Sequence, residues 1–248
     1  MKVVAFNSSP RGKKGITYLL LSILGEGMQR AGATFEIINL IDYNIKTCDG
    51  CFLCWEKIVG CKYQDDMDQL LQKFTKSDLV ILGSPLYYDF FSTNMKIFLE
   101  RILPLHTARI DKKDDNFYVH ESRVRDIKFV VLCSGDLPGN YNFDIISKYM
   151  HKVAKNLNSE VVGEIYRCQA RLFRWKHPVI EANVASYKEN LMKAGQELVE
   201  NGRISEEVSK SLRMPFVAYN AYYKTANKEA DNFMSMYPVL NNGGEYES

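Results

Sequence analysis

KVVAFNSSPRGKKGIT, residues 2–17, is the stretch that decides the fold. Lys2 to Phe6 is an apolar run of strand length, and the polar residues Asn7-Ser8-Ser9-Pro10-Arg11-Gly12 interrupt it. Beyond Gly15, the apolar residues Ile16, Leu19, Leu20, Ile23, Leu24 and Met28 recur at the i, i+3, i+4 spacing of one buried helical stripe. Gly32 suits the left-handed residue just past the end of that helix. A buried strand feeding directly into an amphipathic helix opens a βαβ unit, which predicts a parallel sheet covered on both faces.

Working outward, Phe35 to Leu40 reads as a second strand. Asp65 and Asp66 offer a capping carboxylate to a helix carrying Met67, Leu70, Leu71 and Phe74. Leu79 to Leu82 is a third strand that stops at Gly83-Ser84-Pro85, and Ser92 or Thr93 caps a helix with Met95, Phe98, Leu99 and Ile102 inward. From His106 to Asp126 the chain is charged and loses periodicity, so a surface insertion is expected there. Ile127 to Cys133 and Val161 to Tyr166 are a fourth and a fifth strand, joined by a helix from Phe143 to Leu157. The prediction is an α/β domain over residues 1–170 built on a doubly wound five-stranded parallel sheet, followed by a helical extension over 171–248. In that extension Val184, Tyr187, Leu191, Ala194 and Leu198 mark a helix ending near Gly202, and Ser205 starts another. The aromatic residues Phe216, Tyr219, Tyr222, Tyr223, Phe233 and Tyr237 make a tail expected to pack on its own domain or on a second subunit.

The chain has 248 residues, a formal net charge of +2, 46% hydrophobic and 25% charged residues, the values of a folded soluble protein. No apolar run approaches the ~20 residues of a bilayer span, and the N-terminus lacks a signal-peptide layout, so a cytoplasmic protein with no membrane partner is expected. The near-neutral balance leaves no basic stripe for a nucleic-acid backbone. In a reducing compartment the six cysteines serve as thiols or metal ligands, and four of them lie between Cys48 and Cys61.

Ligands of an open doubly wound sheet bind beyond the carboxyl ends of its strands, where the strand order reverses. With the order 2-1-3-4-5, the loops after strands one, three and four share one crevice. The first, Ser8-Ser9-Pro10-Arg11 through Gly15-Ile16-Thr17, offers hydroxyls, a guanidinium and free amides at a helix N-terminus, which favour a phosphate; it would also serve as a polar loop with a serine cap. It matches neither G-x-G-x-x-G nor the P-loop pattern. The second, Gly83-Ser84-Pro85-Leu86-Tyr87-Tyr88, brings backbone groups and aromatic faces of the kind that hold a planar heterocycle. The third, Cys133-Ser134-Gly135-Asp136, opens a glycine-rich turn beside them.

NSSPR at 7–11, the C-x2-C-x2-C-x6-C segment, DD at 65–66, GSPLYY at 83–88 and KIFLER at 96–101 occur in an order that resembles the NAD(P)H-dependent FMN reductase superfamily, and within it the iron-sulfur flavoprotein group. The resemblance covers roughly residues 1–170. It implies a flavodoxin-like fold, non-covalent FMN, and homo-oligomers (dimer or tetramer) whose subunits build the flavin site together. Carried over by position, Ser8, Ser9, Arg11 and Thr17 would hold the FMN phosphate, with Gly15 and Ile16 in the same turn. Ser84, Pro85, Leu86, Tyr87 and Tyr88 would line the isoalloxazine, and Ser134 and Gly135 fall at the third flavin loop. Where the family commonly reads S-N-T, this chain has Gly15-Ile16-Thr17, one side-chain donor fewer. The implied electron donor is a nicotinamide nucleotide or a small redox carrier protein, and the acceptor a small molecule.

Cys48, Cys51, Cys54 and Cys61 crowd three sulfurs onto one tight turn with a fourth after an excursion, a spacing that suits a 4Fe-4S cluster. Structural zinc, which more often uses two separated pairs, and a loop of empty thiols are the other readings. The loop follows strand two, so the cysteines are expected beside the crevice, where a one-electron centre would serve a flavin. Phe52 and Trp55 are expected to shield that centre from water or pack on a flavin, with anchoring of the loop the simpler reading. Cys133 and Cys168 are expected as buried free thiols, and Lys96 and Arg101 as salt-bridged surface residues. None of His106, His120, His151 and His177 has metal-type spacing, and nothing resembles a hydrolytic triad, so no catalytic acid or base is assigned. The reading is an FMN-dependent oxidoreductase. Its rivals are a cluster-free NAD(P)H:FMN or quinone reductase, and a non-enzymatic module with a zinc knuckle.

Overall fold

A computed structural model describes residues 1–56, 60–114, 116–124 and 127–236. In chain order it places β1 (Lys2–Asn7), α1 (Ile16–Arg30), β2 (Thr34–Asn39), α2 (Leu53–Glu56), α3 (Met67–Thr75), β3 (Leu79–Tyr87), β4 (Phe90–Phe91) and α4 (Thr93–Glu100). There follow β5 (His106–Asp114), β6 (Phe117–Ser122), β7 (Lys128–Ser134), α5 (Asp144–Asn156), β8 (Val161–Arg167), α6 (Pro178–Glu200), α7 (Glu206–Arg213) and α8 (Tyr219–Met236).

The main sheet runs β2-β1-β3-β7-β8, all parallel, which is the doubly wound, flavodoxin-like order 2-1-3-4-5 of its long strands. Alternation along the strands divides the core into two layers. Val4, Phe6, Val80, Leu82, Phe129 and Val131 face α3, α4 and α5. Val3, Ala5, Leu79, Ile81, Val130 and Leu132 face α1, α6 and α7. In α1 the buried stripe is turned toward Leu21, leaving Leu19 and Ile23 half-buried. Two glycines explain the turn: a Cβ on Gly27 would stand 2.0 Å from the Met192 carbonyl oxygen, and one on Gly195 would stand 2.2 Å from that of Leu24. The helices α1 and α6 therefore cross backbone to backbone.

One expectation about a strand needs correction. The third strand does not stop at Gly83-Ser84-Pro85 but runs on to Tyr87 and doubles back as β4, with Leu86 opposite Phe91. Tyr88 and Asp89 make the turn with φ of 49° and 61°, a left-handed pair that joins two-residue hairpins. The surface insertion expected from His106 to Asp126 carries strands of its own: β5 and β6 pair as an antiparallel hairpin apart from the main sheet, Ile110 opposite His120. Both faces of this hairpin are largely solvated, so its charges hide the alternation by which a half-buried strand is recognised.

The helices after residue 170 pack on the sheet through Ile180, Val184, Tyr187, Leu191, Leu198, Val208 and Leu212. Ser205 caps α7, its hydroxyl accepting the Val208 N–H. Phe216 and Tyr222 are buried in the same layer and Tyr223 is exposed; Tyr237 lies outside the described residues. No helix among the described residues is long and apolar enough to cross a membrane.

Candidate functional site

At the carboxyl ends of β1, β3 and β7 the chain opens a cavity of about 330 Å³. The loop after β1 is built from its own polar groups. The Asn7 amide donates to Asn39 Oδ1 at 2.9 Å while its oxygen accepts the Ser9 N–H, and the Ser8 N–H donates to the Gly83 carbonyl at 2.8 Å. Gly12 turns the chain at φ +49°, and a Cβ on Gly15 would fall 2.4 Å from Ser9 Oγ. Gly15 precedes α1 without capping it by a side chain, so the first amides of that helix are left for an anion. Thr17 and Ser134 meet hydroxyl to hydroxyl at 3.1 Å and join the first loop to the third.

Of the residues singled out from the sequence, Ser9, Arg11, Gly15, Ile16, Thr17, Pro85, Leu86, Tyr87, Ser134 and Gly135 line this cavity. Arg11 makes no ion pair among the described residues. Ser8, Ser84 and Tyr88 do not line it. Ser8 is buried, its hydroxyl donating to the Gly83 carbonyl, and the Ser92 hydroxyl donates to it in turn. Ser84 Oγ accepts the Ser92 N–H at 3.0 Å. These two serines clamp the rim from behind. Tyr88 stands wholly in solvent at the tip of the β3–β4 turn. Sequence reading missed Asp136, Ala170, Arg171 and Arg174, which complete the wall. Asp136 adjoins Gly135 in the third loop. The two arginines follow the fifth strand, whose carboxyl end reaches the same rim; that placement was the available signal. Arg171 pairs with Asp136 and, at 3.6 Å, with Glu229, while Arg174 donates to the Lys14 carbonyl at 2.8 Å.

Cys48, Cys51, Cys54 and Cys61 carry free thiols and line one cavity. That cavity lies against the end of α4, with Arg101, Leu103 and Pro104 in its wall, and it shares no lining residue with the crevice. α2 packs against β5 and the turn at Leu103–Leu105, and Arg123 ties these together by donating to the Cys54 carbonyl at 3.1 Å and that of Pro104 at 2.9 Å. Phe52 stacks near Trp55 at 4.7 Å between centroids and Trp55 on His120 at 4.4 Å, an anchoring role for both rings.

Arg101 is a second correction. It is not a surface residue but 1% exposed, and it meets Asp65 through two hydrogen bonds of 2.7 and 3.0 Å while donating to the Lys46 carbonyl at 2.6 Å. Its Nε–H is buried without a partner. Burial works against its charge, but Asp65 and the neighbouring Cys61 sulfur raise its proton affinity further than burial lowers it. Lys96, by contrast, does pair at the surface, with Glu100.

Lys62 pairs with Asp49 on the same loop, and its hydrogen bond draws the Asp49 carboxyl down to about 2. Burial, then the other cysteines, pushes the Cys54 thiol up, so it stays protonated until something cationic arrives. A single tetrahedral ion needs sulfurs about 2.3 Å from one point. Among the described residues no group of three His, Cys, Asp or Glu side chains stands at metal-binding spacing. The four thiols share the wall of this cavity with the cations Arg101 and Lys62. The cavity is about 20 Å³. Cys133 and Cys168 are buried and free.

Residues 1–114 match the model of a family described as NADPH-dependent FMN reductase. An iron-sulfur flavoprotein of Methanocaldococcus jannaschii is 35% identical over 105 residues, 42% of this chain and 53% of that protein. Another, from Archaeoglobus fulgidus, is 34% identical over 101 residues, 41% of this chain and 48% of that one. The chain thus spans about half the length of the curated relatives it matches. Among solved structures, an NAD(P)H:quinone oxidoreductase from Methanothermobacter marburgensis is similar with TM-score 0.56 at 17% identity, over 80% of this chain and 96% of that one. An FMN-dependent NADH-azoreductase from Bacillus anthracis, solved with FMN, gives TM-score 0.56 at 16% identity, over 81% and 98%. At those identities the likeness is one of fold. Residues 1–114, which hold the loop after β1, the four cysteines and the GSPLYY rim, are thus the part of the chain that is similar to the NADPH-dependent FMN reductase family.

Proposed function

We propose that this protein is an FMN-dependent oxidoreductase whose crevice holds the flavin and whose Cys48, Cys51, Cys54 and Cys61 hold a 4Fe-4S cluster. The observation that carries the reading is the cavity where the loops after β1, β3 and β7 meet, with an unpaired guanidinium and an uncapped helix N-terminus at one side and the Leu86–Tyr87 rim at another. Arg11, Ser9 and the amides of residues 15–17 bind the phosphate, since cation, hydroxyl and helix dipole all favour an anion there. Pro85, Leu86 and Tyr87 flank the ring system and keep water from it, and Ser134 and Gly135 offer polar contacts at its edge. Ser8 and Ser84 hold these loops in register without touching the ligand. When bound, FMN supplies both hydride and single-electron chemistry; the protein supplies position and electrostatics. Arg101 and Lys62 offset the negative charge of a thiolate-ligated cluster. A nicotinamide nucleotide or a small carrier protein is the donor, a small molecule the acceptor, and a homo-oligomer the working form. The small cysteine cavity favours a second reading, a cluster-free reductase of the same fold.

An absorption spectrum of anaerobically purified protein before and after dithionite, with iron and acid-labile sulfide assays, tests the reading. Flavin bands with a broad bleachable shoulder and four irons per chain are expected. Flavin alone after reconstitution selects the cluster-free reductase, and protein that stays colourless with FMN overturns both. Arg11→Ala should weaken FMN binding by about ten- to a hundredfold, the range of a lost charge-assisted hydrogen bond; unchanged affinity removes the phosphate assignment.

A further inference from the structure

Three arginines line the crevice, Arg11, Arg171 and Arg174, and they are not equivalent. Beyond β8 the chain makes a 3-10 turn over Ala170–Arg174, tied to the third loop by the Ala170 N–H donating to the Gly135 carbonyl at 3.0 Å. Residues three apart eclipse in such a turn, which is why Arg171 and Arg174 both reach the crevice wall. Arg171 is already matched: Asp136 pairs with it within the wall, and Glu229 reaches it from α8. Arg174 has no carboxylate partner among the described residues, and neither has Arg11.

Arg174 is held at a particular place. One of its Nη atoms donates to the Lys14 carbonyl at 2.8 Å, and its other nitrogens make no hydrogen bond among the described residues. That carbonyl belongs to the peptide joining Lys14 to Gly15, immediately before the uncapped first amides of α1. The Lys14 N–H in turn donates to the Arg11 carbonyl at 3.0 Å, so one short turn carries Arg11 at its start and receives Arg174 at its end. Two cations without carboxylates, brought to one turn of one cavity, repel each other until an anion joins them. A single negative charge would offset only one of them, whereas a phosphomonoester carries about −1.5 to −2 at pH 7.

We propose that Arg174 is the second cation of the phosphate site, acting with Arg11 to make the crevice select a phosphorylated flavin over the unphosphorylated one. This rests on the reading of the crevice as a flavin site, which gave the phosphate to Arg11, Ser9 and the helix amides alone. A guanidinium in this position accounts for a charge that the surrounding residues leave unmatched, and it adds donors where the Gly15-Ile16-Thr17 turn has one side chain too few.

FMN and riboflavin, titrated separately into the full chain freed of flavin and followed by quenching of flavin fluorescence, test the assignment. The two differ only in the phosphate, so the ratio of their affinities isolates that group. Arg174 is exposed, and Arg174→Met should weaken FMN binding about tenfold, the low end for a charge-assisted hydrogen bond, while riboflavin binds as before. Arg174→Lys, which restores the charge, should bind FMN more tightly than Arg174→Met. Equal losses for both flavins would make Arg174 a mere brace of the Lys14 turn and overturn the proposal, as would undiminished FMN affinity or a tie between the two variants. An unsubstituted chain that binds neither flavin overturns the reading of the crevice itself, and this proposal with it.

Discussion

Arg101 shows how much a single side chain can hold. It and Asp65 are both buried, joined by two hydrogen bonds, and they brace the segment from Lys46 through Met67 that carries the cysteines. Removing one partner strands the other charge away from water, which costs about 3–5 kcal/mol. Arg101→Ala should therefore lower the urea midpoint substantially, and a shift no larger than that of an exposed Lys96→Ala would show the pair to be idle. The pair also sets an acid limit. Burial pushes the Asp65 carboxyl up, but hydrogen bonds from Arg101 and from the Lys46 and Met67 N–H groups pull it further down, so its folded pKa is lowered. The folded chain thus binds this proton more weakly than the unfolded one. The stability it contributes is complete above the unfolded value of about 3.9 and is lost as pH falls through the folded one. Unfolding midpoints should hold from neutrality down to about pH 4 and then drop, less steeply in Asp65→Asn; identical acid limbs in the two proteins would contradict the assignment.

Among the elements, the β3–β4 hairpin carries strain that can be measured. Tyr88 and Asp89 occupy left-handed backbone in a turn that prefers Asn-Gly, and Tyr88 makes up for it with no buried contact. Tyr88→Asn combined with Asp89→Gly should raise stability by about 1 kcal/mol in denaturant titration. If FMN affinity falls at the same time, Tyr88 contributes to the site despite its exposure; a loss of stability would mean that the turn is not strained. The α1–α6 crossing is the opposite case, where two glycines let helices 168 residues apart in sequence approach so closely that neither tolerates a Cβ.

Across the whole molecule, the crevice and the cysteine cavity occupy different parts of the chain: one opens at the carboxyl rim of the sheet, the other lies over α4. Disturbing one should leave the other in place. Cys54→Ala is expected to remove the broad cluster absorbance while flavin stays bound with near-normal affinity; simultaneous loss of both would show that the cysteine loop shapes the crevice. Arg171 works differently, because it stands between the crevice and α8, so changes there are expected to be felt in both.

The five long strands and the helices between them were legible in the sequence because each buries one periodic face, and a period of 2 or 3.6 survives in the order of residues. The serine–arginine turn, the GSPLYY rim and the four-cysteine spacing were legible as well, because contiguous residues fold into contiguous loops. What lay beyond reach was set by contacts between distant segments. The burial of Arg101 depends on Asp65, 36 positions away. Arg171 and Arg174 reach the crevice because β8 ends at the same rim, and the charged hairpin of β5 and β6 left no periodic trace. Arg123 reaches the Cys54 carbonyl across 69 positions, a contact that no local pattern encodes.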